Sequence, residues 1–286
     1  MGVDPRIKQT RHWPDRYRAS VGGALAQARR VAEGVPGPVT LDNAHWVGDP
    51  LVHALFTSAG EMHRLLSMNT VLRNFIVTHG CTEVYALLSM RREEKHVFGM
   101  EAAGGALVRD VPQHVIWFTD PLFLAPAAGE AEARETLLWM LFDRFLERLR
   151  VGMDRLKNER ERLIHEKEQA QARLRTASES KRPALENAFQ DLLAQLGEIA
   201  QLLDPGRLHD IFDTVLSHPE DCLYLERHAF SLDAMGVVQP EGHGTRLEFS
   251  DLIERYQEPR TVVMAHCPGI CPNTLADRLD EASHWL

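Results

Sequence analysis

The chain has 286 residues, of which 44% are hydrophobic and 26% charged, and its net charge is −9. This composition is typical of a globular protein that buries a core in one or two domains. It argues against a membrane-spanning helix, which needs about 18 or more consecutive apolar residues. The four cysteines do not suggest a disulfide framework in a chain of this length. The basic N-terminus lacks the apolar stretch of a secretory signal, so we expect a cytoplasmic protein.

The N-terminal part of the chain predicts helices. A helix over Arg16–Glu33 ends at a segment rich in glycine and proline, and a short strand over Val39–Leu41 follows. Asp49 and Pro50 have the residue types of a helix N-cap and first helical position. They introduce a helix that we expect to reach Ala59. Apolar residues at helical spacing then predict one continuous helix, Glu61–His79, ended by Gly80.

The period of the apolar residues then changes to that of short strands. We predict a strand over Glu83–Met90, a turn at the charged segment Arg91–Lys95 and a return strand over His96–Met100. Gly104–Gly105 predicts a further turn, followed by a short strand at residues 106–108 and a stronger strand over Gln113–Thr119. Short strands separated by glycine-rich or charged turns are typical of an antiparallel meander.

A helical period returns over Glu130–Leu203 and predicts a long antiparallel coiled-coil hairpin. A break at residues 178–183 divides it. The outgoing helix has an apolar ladder at Phe142, Phe145, Leu149, Leu156, Leu163 and Ala170. The return helix has a heptad seam at Leu185, Phe189, Leu192, Leu196, Ile199 and Leu203. The inner half of the outgoing helix carries large apolar residues over Leu137–Phe145, so we expect it to pack into the body.

The C-terminal segment predicts a short helix over Arg207–Ser217, several strands and a final helix from Pro272. The strands are expected at Cys222–Leu225, Phe230–Val238, Thr245–Phe249 and Thr261–Ala265. The fold class predicted is therefore α+β, with an antiparallel body interrupted by the hairpin. We expect residues 1–129 to hold the first helices and the meander, residues 130–203 the hairpin, and residues 204–286 a segment that completes the same body. Two separate small domains are the competing interpretation.

The strongest metal candidates are His266, Cys267 and Cys271. Histidine and thiolate are zinc ligands, and the spacing of the two cysteines is close to that of zinc-binding loops. A structural zinc site needs four ligands, however, and the sequence offers no second pair. We therefore expect these cysteines to pack at the end of a strand and no metal to bind.

No motif identifies a catalytic centre or a cofactor, and we expect no cofactor. The dinucleotide fingerprint, the P-loop and the nucleophile elbow are all missing. Ser178 and Lys181 match a Ser-x-x-Lys pattern but lie in the predicted hairpin turn. His209 and Asp213 share one face of a predicted helix, which by itself specifies no chemistry.

The charge of the hairpin is uneven. Residues 144–182 hold 12 basic and 7 acidic residues, a net +5 on an acidic protein. Along most of the helix the two signs alternate, which is typical of a solvated coiled-coil surface. The tip is mostly basic and is the best candidate for contact with an acidic partner. Its basic residues are Arg173, Arg175, Lys181 and Arg182.

Two function classes follow. The first is a non-enzymatic interaction or assembly protein whose projecting hairpin contacts a protein partner or a second copy. The second is an enzyme or small-ligand-binding domain of unknown chemistry, with the hairpin as an oligomerisation strut or lid. Histidines near the predicted strand ends favour the second class: His79, His96, His114, His228 and His266. Nucleic-acid binding ranks third, because the total charge is acidic.

Overall fold

The computed structural model describes residues 14–103, 106–204, 210, 212–213, 216, 218–240 and 242–270. Helices combine with an antiparallel sheet, so the α+β class is confirmed. The chain divides into two compact units. One consists of Met1–Gln27 and Leu141–Pro219, and the other of Ala28–Met140 and Glu220–Leu286. In the described part of the chain, no helix is long and apolar enough to cross a membrane.

The second unit is built on one sheet of six strands. Their bounds are β1 Val39–Thr40, β2 Glu83–Ala103, β3 Ala106–Ala127, β4 Leu223–Leu232, β5 Thr245–Glu254 and β6 Arg260–Pro268. The order is β3-β2-β6-β5-β4 with antiparallel neighbours, and β1 pairs with β6 in parallel. Isolated bridges join Val115 to Val237 and Leu232 to Val238. The sheet therefore curls until the segment after β4 links its two edge strands.

The predicted meander of short strands is wrong, because β2 and β3 form one long two-stranded ribbon. Arg91–Lys95 is not a turn: it continues β2 and pairs with β3 from Thr119 to Val115. Beyond Met90 no β6 residue pairs with β2, so side chains there need not be apolar. Ala103 pairs with Ala106, and the predicted turn at Gly104–Gly105 lies outside the described residues.

Four helices lie between β1 and β2: α2 Asn43–Gly48, α3 Pro50–Leu55, α4 Ala59–Met68 and α5 Thr70–His79. Asp49 caps α3, with Pro50 at the first helical position, as predicted, although α3 ends four residues early. The single helix predicted over Glu61–His79 is wrong. Asn69 ends α4 and caps α5, because its side chain accepts a 3.0 Å hydrogen bond from the Leu72 amide. Gly80 ends α5 in the left-handed conformation, as predicted.

These helices supply apolar residues to the main core, which covers one face of the sheet. Alternate residues of a strand point to the same face. Val84, Ala86, Leu88 and Met90 of β2 therefore join the core together. Val263, Ala265 and Cys267 of β6 do the same.

The strands after the long helices differ in extent from the prediction. The two strands expected at Cys222–Leu225 and Phe230–Val238 are one strand, β4, and the remaining Val237 and Val238 form only isolated bridges. Strands β5 and β6 both extend beyond the predicted bounds. The final helix predicted from Pro272, and most of the helix predicted at Arg207–Ser217, lie outside the described residues.

Further helices with fully described bounds are α1 Arg18–Gly34, α6 Glu130–Arg175 and α7 Arg182–Leu202. Short 3-10 turns lie at Asp15–Tyr17 and Pro219–Asp221. At 46 residues, α6 is about 69 Å long. Leu137, Leu141 and Phe145 of α6 are buried, whereas Trp139 is 50% exposed. The N-cap of α7 is Lys181, whose side chain makes no capping hydrogen bond.

Candidate functional site

A polar cluster lies on the core face of the sheet, and Asp251 of β5 is at its centre. The Asp251 side chain is 5% exposed. Its Oδ1 accepts a 2.6 Å hydrogen bond from Thr261 Oγ1, and its Oδ2 lies 2.9 Å from Arg92 Nη1. The arginine contact is an ion pair by distance, but the direction of its N–H group does not meet hydrogen-bond geometry. A buried carboxylate requires such partners, because they replace the water it has lost.

Two histidines extend the polar cluster. Nε2 of His228 lies 3.4 Å from Asp251 Oδ2, and Nε2 of His114 lies 2.9 Å from Glu94 Oε2. Arg92 joins the two halves, because its Nε donates a 3.0 Å hydrogen bond to Glu94 Oε1. Each imidazole thus faces a carboxylate through Nε2, and Nδ1 is the remaining ring nitrogen. Carboxylate–imidazole pairs of this kind can orient a histidine for proton transfer.

Strand register explains how these residues meet. Arg92, Glu94 and His96 alternate along β2 and therefore share one face. His96 pairs with His114 of β3, and their rings stack with centroids 4.8 Å apart. Glu226 of β4 pairs with Asp251 of β5, so these two strands present their polar residues to the same face as Arg92.

A cavity of about 460 Å³ lies on the same face of the sheet. Its walls come from α3 and the residues that follow it, from β3, and from the start of β5 together with the segment after β4. Apolar wall residues include Ala54, Ile116, Phe118 and Leu247. The volume falls within the roughly 300–1,000 Å³ typical of small-molecule sites.

An aromatic layer connects the cavity to the polar cluster. Phe118 lines the cavity, and its ring centroid lies 5.1 Å from that of Phe249. Phe249 in turn lies 6.2 Å from Phe230. The Arg92 guanidinium sits over the Phe230 ring at 5.2 Å, within the range of a cation–π contact. The core face of the sheet therefore changes along its length from an apolar cavity through aromatic rings to charged groups.

No known family matches the chain, and neither does any curated protein or solved structure.

The metal candidates do not converge. His266 and Cys267 are consecutive in β6 and point to opposite faces. His266 stacks on Tyr85 and places Nε2 2.9 Å from Glu83 Oε2. Cys267 is in the core, where burial raises the pKa of its thiol to about 12. Cys271 lies outside the described residues, and within them no three potential ligands are grouped for a metal ion.

The histidines singled out near strand ends separate into different environments. His96, His114 and His228 join the polar cluster. His79 is at the end of α5, where its ring stacks on Phe75 with centroids 4.0 Å apart. His266 faces away from the core. Of the predicted helix pair, Asp213 accepts a hydrogen bond from Ser20, whereas His209 lies outside the described residues.

The predicted contact residues of the tip are all exposed. Arg173 and Arg175 lie in the last turn of α6, where positive charge also suits the helix dipole. Lys181 and Arg182 lie at the start of α7. Ser178 and Lys181 belong to the turn itself, in which the Lys181 amide donates a 3.0 Å hydrogen bond to the Ser178 carbonyl.

The sequence interpretation missed Arg92, Glu94 and Asp251. Arg92 and Glu94 were assigned to a turn, and Asp251 was not singled out. The one signal available was Arg92 and Glu94 two positions apart, a spacing that places both on one face of a strand. Nothing local to β5 identified Asp251 as their partner.

Proposed function

We propose that α6 and α7 form an antiparallel hairpin, and that the hairpin contacts a second copy of the chain or another protein. The observation that carries this proposal is the incomplete burial of α7. It is 21 residues long, yet none of them is buried. Short helices in water depend on the burial of an apolar face, so a helix this exposed lacks the usual source of stability.

The residues of α7 that are least exposed support the hairpin. Its half-buried positions are Leu185, Phe189, Leu192, Leu196 and Ile199. Their spacings of four and three are those of a coiled-coil seam. Leu163 of α6 is 1% exposed, and Leu156 and Ala170 on the same ladder are half-buried. Only residues 176–181 separate the two helices, and short connections favour antiparallel neighbours.

An exposed apolar residue beside the seam of α7 supports a further partner. Leu193 and Leu202 flank the half-buried seam on opposite sides of the helix and are 39% and 43% exposed. Covering apolar area contributes about 25 cal/mol per Å². A partner on the Leu193 side would therefore supply burial that α7 does not obtain in the single chain.

The basic tip is the second part of the proposed contact surface. Lys181 and Arg182 carry positive charge at the start of α7, where the helix dipole disfavours cations. Helix stability therefore does not explain them. Contact with an acidic partner surface does explain these two residues, because such a surface attracts positive charge at any position along a helix.

Light scattering of the chromatographed protein, together with a pulldown, tests this proposal. We expect a mass above the 32.4 kDa of one chain, or a retained partner. Leu193→Glu should abolish either result without loss of helix by circular dichroism. Leu196→Glu, in the seam, should lose both the partner and helical signal. Gln195→Glu adds the same charge at an exposed position and serves as the control. A monomer without partners would reject the assembly proposal.

A second candidate is an enzyme or a small-ligand-binding domain in the α+β body. The observation that favours it is the pair of imidazoles, His114 and His228, each facing a carboxylate. Chromogenic esters and phosphoesters are suitable first substrates. Turnover should fall by about 100-fold or more in His114→Asn or His228→Asn. Glu248→Gln is the control, because this exposed carboxylate lies on β5 but on the opposite face from Asp251. Turnover that persists in both histidine variants would exclude this role for the polar cluster.

A further inference from the structure

We propose that the 460 Å³ cavity binds a small, uncharged, largely apolar molecule. This inference is independent of the hairpin and of the histidine chemistry. It depends on the hydrogen bonds that the polar residues of the cavity wall already make, and on the apolar residues at its mouth.

The one carboxylate of the wall is fully occupied by its own loop. Oδ1 of Asp233 accepts hydrogen bonds from the amides of Met235 and Val237, at 2.8 and 3.0 Å. Its Oδ2 accepts a 3.0 Å hydrogen bond from Gln239 Nε2. A cationic ligand would have to replace these donors, so Asp233 holds the loop in shape and does not attract cations.

The remaining polar wall residues offer little to a charged ligand. His53 donates from Nε2 to the Ala234 carbonyl over 3.2 Å, and its ring lies against Trp46 with centroids 4.7 Å apart. Thr57 donates its hydroxyl to Glu61. Thr245 is exposed at the edge of the sheet. A charged ligand would lose water without gaining an opposite charge, and that loss is costly.

The mouth of the cavity is apolar as well. Val47 and Met235 belong to the wall and are 79% and 83% exposed. A methionine adapts its shape easily to apolar ligands. Exposed apolar residues beside an apolar cavity favour entry of a ligand of the same character, because binding removes both surfaces from water.

Two fluorescent probes with the same ring skeleton test the proposed ligand class on the full chain. N-phenyl-1-naphthylamine is uncharged, whereas 8-anilinonaphthalene-1-sulfonate carries a sulfonate. We expect saturable fluorescence enhancement with the uncharged probe and at least about tenfold weaker binding of the sulfonate, which corresponds to about 1.4 kcal/mol. Equal binding of the two probes would overturn the proposal, and so would the absence of binding by the uncharged one.

Substitutions in the cavity wall locate the bound probe. Ala54→Phe places a ring in the cavity and should weaken binding of the uncharged probe at least about tenfold. Ala131→Phe adds the same ring at an exposed position of α6 and should leave binding unchanged. If Ala54→Phe does not fold, Thr245→Phe narrows the cavity from its exposed edge and replaces it. Unchanged binding in the folded cavity variant would place the probe elsewhere and overturn the proposal.

Discussion

His228 and Asp251 lie on adjacent strands with Nε2 of the imidazole 3.4 Å from Oδ2 of the carboxylate. The histidine is half-exposed, but the carboxylate is buried and also contacts Arg92 and Thr261. The carboxylate therefore has two roles that experiments can separate. It neutralises the charge of the largely buried Arg92 side chain, and it orients the imidazole of His228, which reaches solvent.

Replacement of Asp251 by alanine should destabilise the protein by about 3 kcal/mol, because Arg92 would lose its buried counter-charge. The Arg92 side chain is 14% exposed, so water can replace the carboxylate only in part. Urea unfolding followed by circular dichroism measures this loss. Glu226→Ala is the control: its carboxylate is 52% exposed, and we expect a change below about 0.5 kcal/mol. Equal stability of the two variants would contradict a structural role for Asp251.

The loop that closes the sheet should not tolerate a side chain at Gly236. Its φ is +77°, and a Cβ atom there would lie 2.5 Å from the Ile116 carbonyl oxygen. The amide of the same residue, Ile116, donates a 2.9 Å hydrogen bond to the Gly236 carbonyl, which holds the loop against β3. Gly242 also has a positive φ, +87°, but a Cβ atom there would meet nothing within 4 Å.

Gly236→Ala should therefore cost more stability than Gly242→Ala. The left-handed conformation costs an alanine about 1–2 kcal/mol at either position. The clash should add a further cost of about 1–3 kcal/mol at Gly236 alone, as is typical of a forced backbone shift. Thermal unfolding of the two variants gives the comparison. A smaller loss at Gly236 would show that the loop can move away from β3.

The stabilisation that Asp42 contributes should depend on pH. Its Oδ1 accepts a 2.7 Å hydrogen bond from the His45 amide at the start of α2, and it also contacts His45 Nδ1 at 2.8 Å. The backbone hydrogen bond from His45 is the main cause that lowers the pKa of Asp42 from its usual 3.8. A lowered pKa means that the stabilisation is complete above pH 3.8 and disappears as the pH falls through the folded-state pKa.

Asp42→Ala should thus cost about 1 kcal/mol at neutral pH, the usual effect of a lost N-cap. The difference from the wild type should shrink in acid, once the carboxyl is protonated in both the folded and unfolded chains. Urea unfolding at several pH values between 2 and 7 measures it. Asp42→Asn keeps a capping oxygen without the charge and should remove the pH dependence while retaining most of the cap. A constant difference at all pH values would contradict this assignment.

Local patterns predicted local features of the fold well. Asp49 and Pro50 identified the start of α3, and Gly80 identified the end of α5, because the chemistry of a helix end is contained in a few neighbouring residues. Asn69 was missed for the opposite reason. The apolar residues of α4 and α5 continue at helical spacing across it, and only its side-chain hydrogen bond to the Leu72 amide shows the break.

The polar cluster was not predictable from the sequence, because its members come from distant parts of the chain. Arg92 of β2 contacts Asp251 of β5 because β6 pairs with both strands and brings them close together. The segment Arg91–Lys95 resembled a turn because it is highly charged. In the structure its charges are accommodated in a strand, since Arg91 pairs with Glu258 at 2.8 Å and Arg92 with Asp251.

The cysteines should differ in reactivity. The thiolate is the reactive form, and burial raises the pKa of Cys267 to about 12, so almost none is present at pH 8. Cys81 is half-buried and partly accessible. Brief treatment with iodoacetamide followed by peptide mass mapping should therefore modify Cys81 before Cys267. In urea, which exposes both thiols, the two should react at similar rates. Rapid native modification of Cys267 would show that this end of β6 opens to solvent, and would again make this cysteine a candidate zinc ligand.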